Sequence, residues 1–143
     1  MLNINEVRRI VVKVGTSTLT YDNGRLNIRR IERLVRTISD LQNQGFEMVL
    51  VSSGAVTVGA AKLGLAERPK ELAMKQAAAA VGQCELMHIY DKMFLEYGIN
   101  VAQILLTREN IIDDEQRENI HNTFTSLMRT GAVPIVNEND TVA

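Results

Sequence analysis

Three short segments combine small, hydroxyl-bearing and charged residues in the way anion-binding sites do: Lys13-Val14-Gly15-Thr16-Ser17, Ser52-Ser53-Gly54-Ala55 and Asn137-Glu138-Asn139-Asp140. Lys13 falls in a run that reads as a strand buried on both faces, where an unpaired ammonium is expensive and a phosphate would supply its partner. Gly15, Gly54 and their small neighbours allow backbone N–H groups to approach a ligand closely, and a helix starting near Ala55 offers its positive end to an anion. Asn137 and Asp140 have the polarity to bind an α-amino group or to position Mg²⁺ through water. Each segment also has a plainer reading. Lys13 could snorkel from the strand end, Ser53-Gly54 could be an ordinary strand-to-helix turn, and Asn137 to Asp140 a solvated one. Taken together, the segments describe a site for a zwitterion plus a polyphosphate.

The elements that must position these residues alternate between strand and helix. Ile10 to Val14 is a near-continuous apolar run, as are Met48 to Val51, Val101 to Leu106 and Val133 to Val136, the mark of strands in a parallel sheet. Between them, Asn27 is placed to cap a helix with apolar positions Ile28, Ile31, Leu34, Val35, Ile38 and Leu41, and Gly45 stands where it ends. A small-residue helix is predicted over 55–63. A long alanine-rich one is predicted over 72–96, with Pro69 placed to start it and Gly82 as a point of interruption. Thr107 is a candidate cap, and Asp113-Asp114-Glu115 suits the first turn of a helix that Gly131 stops. The predicted class is α/β, a three-layer αβα arrangement around a mainly parallel sheet. In such sheets ligands bind beyond the carboxyl ends of the strands, where all three polar segments fall.

Composition removes other classes. Net charge is −1 over 143 residues, so nothing global points to nucleic acid or to an anionic membrane. Residues 1–45 carry eight Lys/Arg against four Asp/Glu. That excess lies mostly on Arg29, Arg30, Arg33 and Arg36, which at helical spacing read as a solvated face. The single cysteine, Cys84, excludes an internal disulfide and is expected to be a buried, inert thiol. Met74, Met87 and Met93 are expected to fill the core. His88 and His121 have no spaced partner, so no metal ligand is assigned. No apolar run approaches about 18 residues and no signal-peptide pattern opens the chain, so a cytoplasmic protein is expected. Neither a Walker loop nor a Gly-x-Gly-x-x-Gly follows a strand, which disfavours P-loop enzymes and dinucleotide dehydrogenases.

The segments also resemble a known family. Val11 to Ser17, Val51-Ser52-Ser53-Gly54-Ala55-Val56, Lys75 to Gln83, Gln103 to Arg108 and Ile135 to Asp140 follow the order and approximate spacing of the glutamate 5-kinases, a branch of the amino acid kinases. The resemblance runs from about residue 8 to 143. It implies ATP-dependent phosphorylation of the side-chain carboxylate of L-glutamate, the first step of proline synthesis, with ATP and Mg²⁺ required. By resemblance Lys13 is catalytic and, with Gly15, Thr16 and Ser17, surrounds the phosphates, while Ser53, Gly54, Ala55, Asn137 and Asp140 hold glutamate. The resemblance further implies a homo-oligomer functionally coupled to glutamyl phosphate reductase.

Catalytic domains of that family are about twice this length. The sequence is therefore expected to be the N-terminal part of an amino acid kinase domain (residues 1–143). A Gly-Asp-Asn-Asp motif, the adenine-binding segment, a second phosphate-binding lysine and any RNA-binding-like domain are not in it. On that reading the isolated chain is expected to be inactive, with an open sheet edge and exposed apolar helix faces. A non-catalytic, self-associating or split-subunit fragment is the alternative of another class. Acetylglutamate kinase and carbamate kinase are the enzymatic alternatives, disfavoured by the Asn-Glu-Asn-Asp and Lys-Gln-Ala motifs.

Overall fold

Four apolar runs become four parallel strands: β1 (Arg9–Val14), β2 (Glu47–Ser52), β3 (Val101–Leu106) and β4 (Val133–Glu138). The computed structural model describes residues 6–142; the ends of the predicted 1–143 unit, residues 1–5 and Ala143, lie outside the described residues. The helices are α1 (Thr16–Leu19), α2 (Ile28–Asn43), α3 (Ala55–Lys62), α4 (Leu72–Leu95), α5 (Arg108–Ile112) and α6 (Asp114–Arg129). Strand order is β1-β2-β4-β3. The chain therefore passes from β2 to the far edge before returning to fill the place between β2 and β3.

Period-two alternation along the strands separates two apolar layers. Val14, Met48, Leu50, Val133 and Ile135 pack with Ile31 and Val35 of α2, Val58 of α3 and Leu86, Tyr90 and Phe94 of α4. Val49, Ile104 and Val136 face the other way, against Phe124, Leu127 and Met128 of α6. These are the three layers expected. Among the described residues, no helix is long and apolar enough to cross a membrane.

Local chemistry sets most element ends. The Asn27 side chain accepts from the Arg30 backbone N–H at 3.2 Å and caps α2. That helix closes with Gly45 at φ +104° and the Phe46 N–H donating to the Leu41 carbonyl at 3.2 Å, a glycine-terminated stop. Thr107 and Asn110 form a reciprocal capping box on α5. Asp113 caps α6 through the Gln116 N–H at 2.8 Å.

The structure departs from several expectations. β1 is an edge strand buried on one face only. Because α6 covers only the β2-β4-β3 side of its face, Val11 is 60% exposed and Lys13 beside it is exposed as well. The burial penalty inferred for Lys13 therefore does not apply here. Pro69 does not start α4, which begins three residues later behind Glu71 as its N-cap. Cys84 is exposed rather than buried. Met93 and Met87 belong to the core, whereas Met74 is exposed.

Gly82 does not interrupt α4 either; it is where α3 lies against it. A Cβ on Gly82 would overlap the Ala55 carbonyl and come within 2.7 Å of the Gly59 nitrogen. A Cβ on Gly59 would overlap the Ala78 carbonyl and come within 2.9 Å of the Gly82 nitrogen. The two helices meet backbone to backbone, and neither contact can yield by rotating a side chain.

Gly82→Ala and Gly59→Ala should therefore each lower folding stability by roughly 3 kcal/mol or more, since overpacking here must move helix backbone. Gly15→Ala is the control, because a Cβ there meets nothing within 4 Å. Urea unfolding checks this: a Gly82→Ala protein with the parental midpoint would contradict the close contact.

Candidate functional site

The carboxyl ends of β1, β2 and β4 open into one pocket of about 500 Å³. Its wall on the β1 side is Lys13, Gly15 and Thr16; the β2 side is Ser53 and Gly54 with the first turn of α3; the β4 side is Asn137, Glu138 and Asp140. Eight of the nine residues singled out in the sequence thus share one cavity; Ser17 is the exception. It sits in the single turn of α1, exposed, with its carbonyl accepting from Arg30 Nη1 at 3.3 Å.

The β1 and β2 walls are fastened to each other. Both the backbone N–H and the hydroxyl of Ser53 donate to the Val14 carbonyl, at 3.2 and 3.1 Å, extending the pairing of Val14 with Ser52 by one step. On the opposite side of the strand, the Ser52 hydroxyl meets the Tyr90 hydroxyl at 2.8 Å inside the core. Burial pushes the Tyr90 phenol up to about 12, partly opposed by the Ser52 hydrogen bond, so it stays neutral at physiological pH.

Gly54 then turns the chain at φ +96° and ψ +5°, a left-handed conformation that side-chain-bearing residues adopt only at a cost. The turn delivers Ala55, Val56 and Thr57 to the pocket as the first turn of α3. The helix ladder begins with Val58 N–H to the Gly54 carbonyl at 3.0 Å, and no side chain caps the preceding N–H groups. An uncapped helix start lining a cavity presents donors and a positive dipole end, which suits a carboxylate or a phosphate. Gly15 adds room, since the space a Cβ would occupy there is open.

On the β4 wall, Asn137 is already engaged. Its amide donates to Gln83 Oε1 at 3.0 Å, and its Oδ1 accepts from the Glu138 N–H at 2.8 Å. Gln83 in turn donates to Gln103 Oε1 at 3.3 Å. Three sequence segments that looked separate, on α4, β3 and β4, are thereby joined by side-chain amides. Asp140 is held above the usual aspartate range, first by burial and then by the like charge of Glu138, with Arg68 acting in the opposite sense.

Arg68 and Thr57 line the pocket but were not picked out in the sequence, and Glu138 entered only as a member of the Asn137 to Asp140 segment, with no role of its own. Arg68 comes from the α3–α4 connection, where no periodicity marks one residue above its neighbours. Gln83 lay within a motif, but only the fold reveals its bond to Asn137. Among the described residues, no group of three His, Cys, Asp or Glu side chains is placed to hold a metal ion.

The Asp140 shift has a definite sign for stability. A carboxyl whose folded pKa exceeds its unfolded value penalises folding above the folded pKa, and the penalty disappears as pH falls below the ordinary 3.8. Asp140→Asn should therefore stabilise the ligand-free protein at pH 7, with the two stabilities converging in acid. Thermal unfolding across that range checks it; a difference independent of pH would contradict the cause given.

Residues 8–143 match the family model described as "Amino acid kinase family". A curated glutamate 5-kinase of Clostridium perfringens is 56% identical over 140 residues, covering 98% of this chain and 52% of that protein. The glutamate 5-kinase of Moorella thermoacetica is 56% identical over 142 residues, 99% of this chain and 38% of that protein. That of Listeria innocua is 55% identical over 141 residues, 99% and 51%. The chain thus spans about half the length of most of the curated relatives it matches. Among solved structures, UMP kinase from Ureaplasma parvum superposes with a TM-score of 0.59 at 12% identity, over 92% of this chain and 56% of that one, a likeness of fold.

Proposed function

The chain belongs to the amino acid kinase family, and from that membership we propose that it forms the glutamate-binding, phosphate-facing part of a glutamate 5-kinase. The reaction is transfer of the ATP γ-phosphoryl group to the side-chain carboxylate of L-glutamate, giving glutamyl 5-phosphate for proline synthesis. The observation carrying this reading is identity of 55–56% to glutamate 5-kinases over nearly the whole chain. The strand-end pocket supports it, because that sequence brings cations, uncapped helix amides and a carboxylate into one cavity.

A glutamate side chain with an ordinary pKa of about 4.3 is already ionised at neutral pH, so the reaction needs neither an enzyme nucleophile nor a general base. What the chain contributes is placement and charge neutralisation. Lys13 makes no ion pair among the described residues, leaving its ammonium to offset charge on the transferring phosphoryl group. Gly15 and Thr16 give the phosphates room and a hydroxyl beside the β1 end. Ser53, Gly54 and Ala55, with the amides of the α3 start, receive a carboxylate of glutamate.

Asp140 takes the α-ammonium. Its carboxylate is disfavoured by burial and by Glu138, and a bound ammonium compensates both. Asn137, with its oxygen and one amide hydrogen committed, serves mainly as the frame that holds the end of β4 to α4. Mg²⁺ bound with ATP would be held mostly by phosphate oxygens, consistent with the few ligating side chains here. Most of the curated relatives are about twice as long as the region matched here. The adenine-binding part of the site is assigned to that additional length, so these 143 residues by themselves are expected to turn over little.

In the full-length protein, glutamate should drive ADP release, with the acyl phosphate trapped by hydroxylamine as glutamyl hydroxamate. ADP release without hydroxamate would refute carboxyl phosphorylation. Lys13→Ala should lower kcat by about 100-fold or more, as removal of one transition-state donor does, with the glutamate KM little changed. An unchanged kcat would remove the role given to Lys13.

A further inference from the structure

The pocket holds a second cation that the reaction scheme leaves unused. Arg68 lines it from the α3–α4 connection, and its guanidinium makes no hydrogen bond or ion pair among the described residues. The connection leaves α3 in a fixed way, with the N–H groups of Gly64 and Leu65 donating to Ala61 and Ala60 at 3.1 and 3.0 Å. Pro69 follows directly and restricts the backbone beside Arg68.

We propose that Arg68 is the specificity-determining residue that recognises the α-carboxylate of the amino acid substrate. This rests on the glutamate reading of the site and deepens it. Lys13 lies in β1 and Asp140 in the turn just past the end of β4, and β1 and β4 flank β2. Two strand spacings separate β1 from β4 by roughly 10 Å, a span that an extended glutamate can bridge. An extended glutamate with its ammonium at Asp140 therefore directs its side-chain carboxylate toward Lys13. The α-carboxylate shares a carbon with the ammonium and so stays at the Asp140 end.

Arg68 is the cation at that end. It acts on Asp140 electrostatically across the pocket, in the sense opposite to burial and Glu138. Its planar fork matches a carboxylate with two parallel hydrogen bonds, which a lysine cannot reproduce. The pocket then offers Lys13 and Arg68 to glutamate's two carboxylates and Asp140 to its ammonium.

The test compares full-length wild type, Arg68→Ala and Arg68→Lys with L-glutamate and its α-amide, isoglutamine. Isoglutamine keeps the ammonium and the reacting carboxylate but lacks the α-carboxylate charge. Loss of a charge-assisted pair predicts that Arg68→Ala raises the glutamate KM by about tenfold or more and narrows the preference for glutamate over isoglutamine by a similar factor. The ATP KM and kcat should change little, and Arg68→Lys should recover part of the preference. An unchanged preference, or a rise in the ATP KM instead, overturns the assignment. If wild type makes hydroxamate from glutamate and Arg68→Ala keeps its preference, this assignment alone fails. If wild type makes none, the glutamate reading fails and this assignment with it. Because Arg68 is exposed, unaltered thermal unfolding is expected and separates substrate effects from misfolding.

Discussion

Helices α3 and α4 touch backbone to backbone through Gly59 and Gly82, and the site inherits its position from that contact. The carbonyl that a Cβ on Gly82 would strike belongs to Ala55, the first residue of α3. The close approach therefore locates the very turn that faces the pocket. Below it, α4 is anchored in the core by Leu86, Tyr90 and Phe94. Tyr90 reaches up to Ser52 at the end of β2, so helix start and strand end are registered to the same long helix. Gln83, one residue beyond Gly82, extends the same control to β4 through Asn137. A single helix thus holds two of the three walls, and Ser53 ties the third wall, β1, to the second.

The charges in the cavity follow from this framework. Each strand end contributes what its neighbours permit: an exposed lysine on the edge strand, uncapped amides after β2, and carboxylates after β4. Edge position explains Lys13. A central strand would force its ammonium into an apolar layer, whereas the open face of β1 leaves it hydrated until a ligand arrives. Asp140 is the converse case, a carboxylate partly withdrawn from water beside another negative group. Such a group is unfavourable in the free protein and becomes favourable when a cation binds, which is how binding sites come to lie off the stability optimum.

Much of the fold was legible because its determinants are local. The four apolar runs became the four strands, and Asn27, Thr107, Asp113, Gly45 and Gly131 act where sequence rules place caps and stops. The candidate site was legible for the same reason, since strand ends in a parallel sheet share one edge. What escaped depends on sheet order and helix packing. The exposure of β1 follows from its place at the edge, which its own residues do not encode. Apolar and small residues run all round α4, so no stripe distinguished exposed Cys84 from buried Gly82. Arg68 had no pattern at all; only the path of the α3–α4 connection carries it into the cavity.

On the function proposed, the Ser53-Gly54-Ala55 turn and the start of α3, held by α4, receive the amino acid. Amide NMR of the full-length protein during titration with L-glutamate tests it most directly. Saturable shifts should concentrate on the N–H groups of Gly54, Ala55, Val56 and Thr57 and near Asp140, with the α6 face of the sheet quiet. Saturable binding whose shifts instead fall on β3 and α6, leaving the α3 amides unmoved, would contradict it.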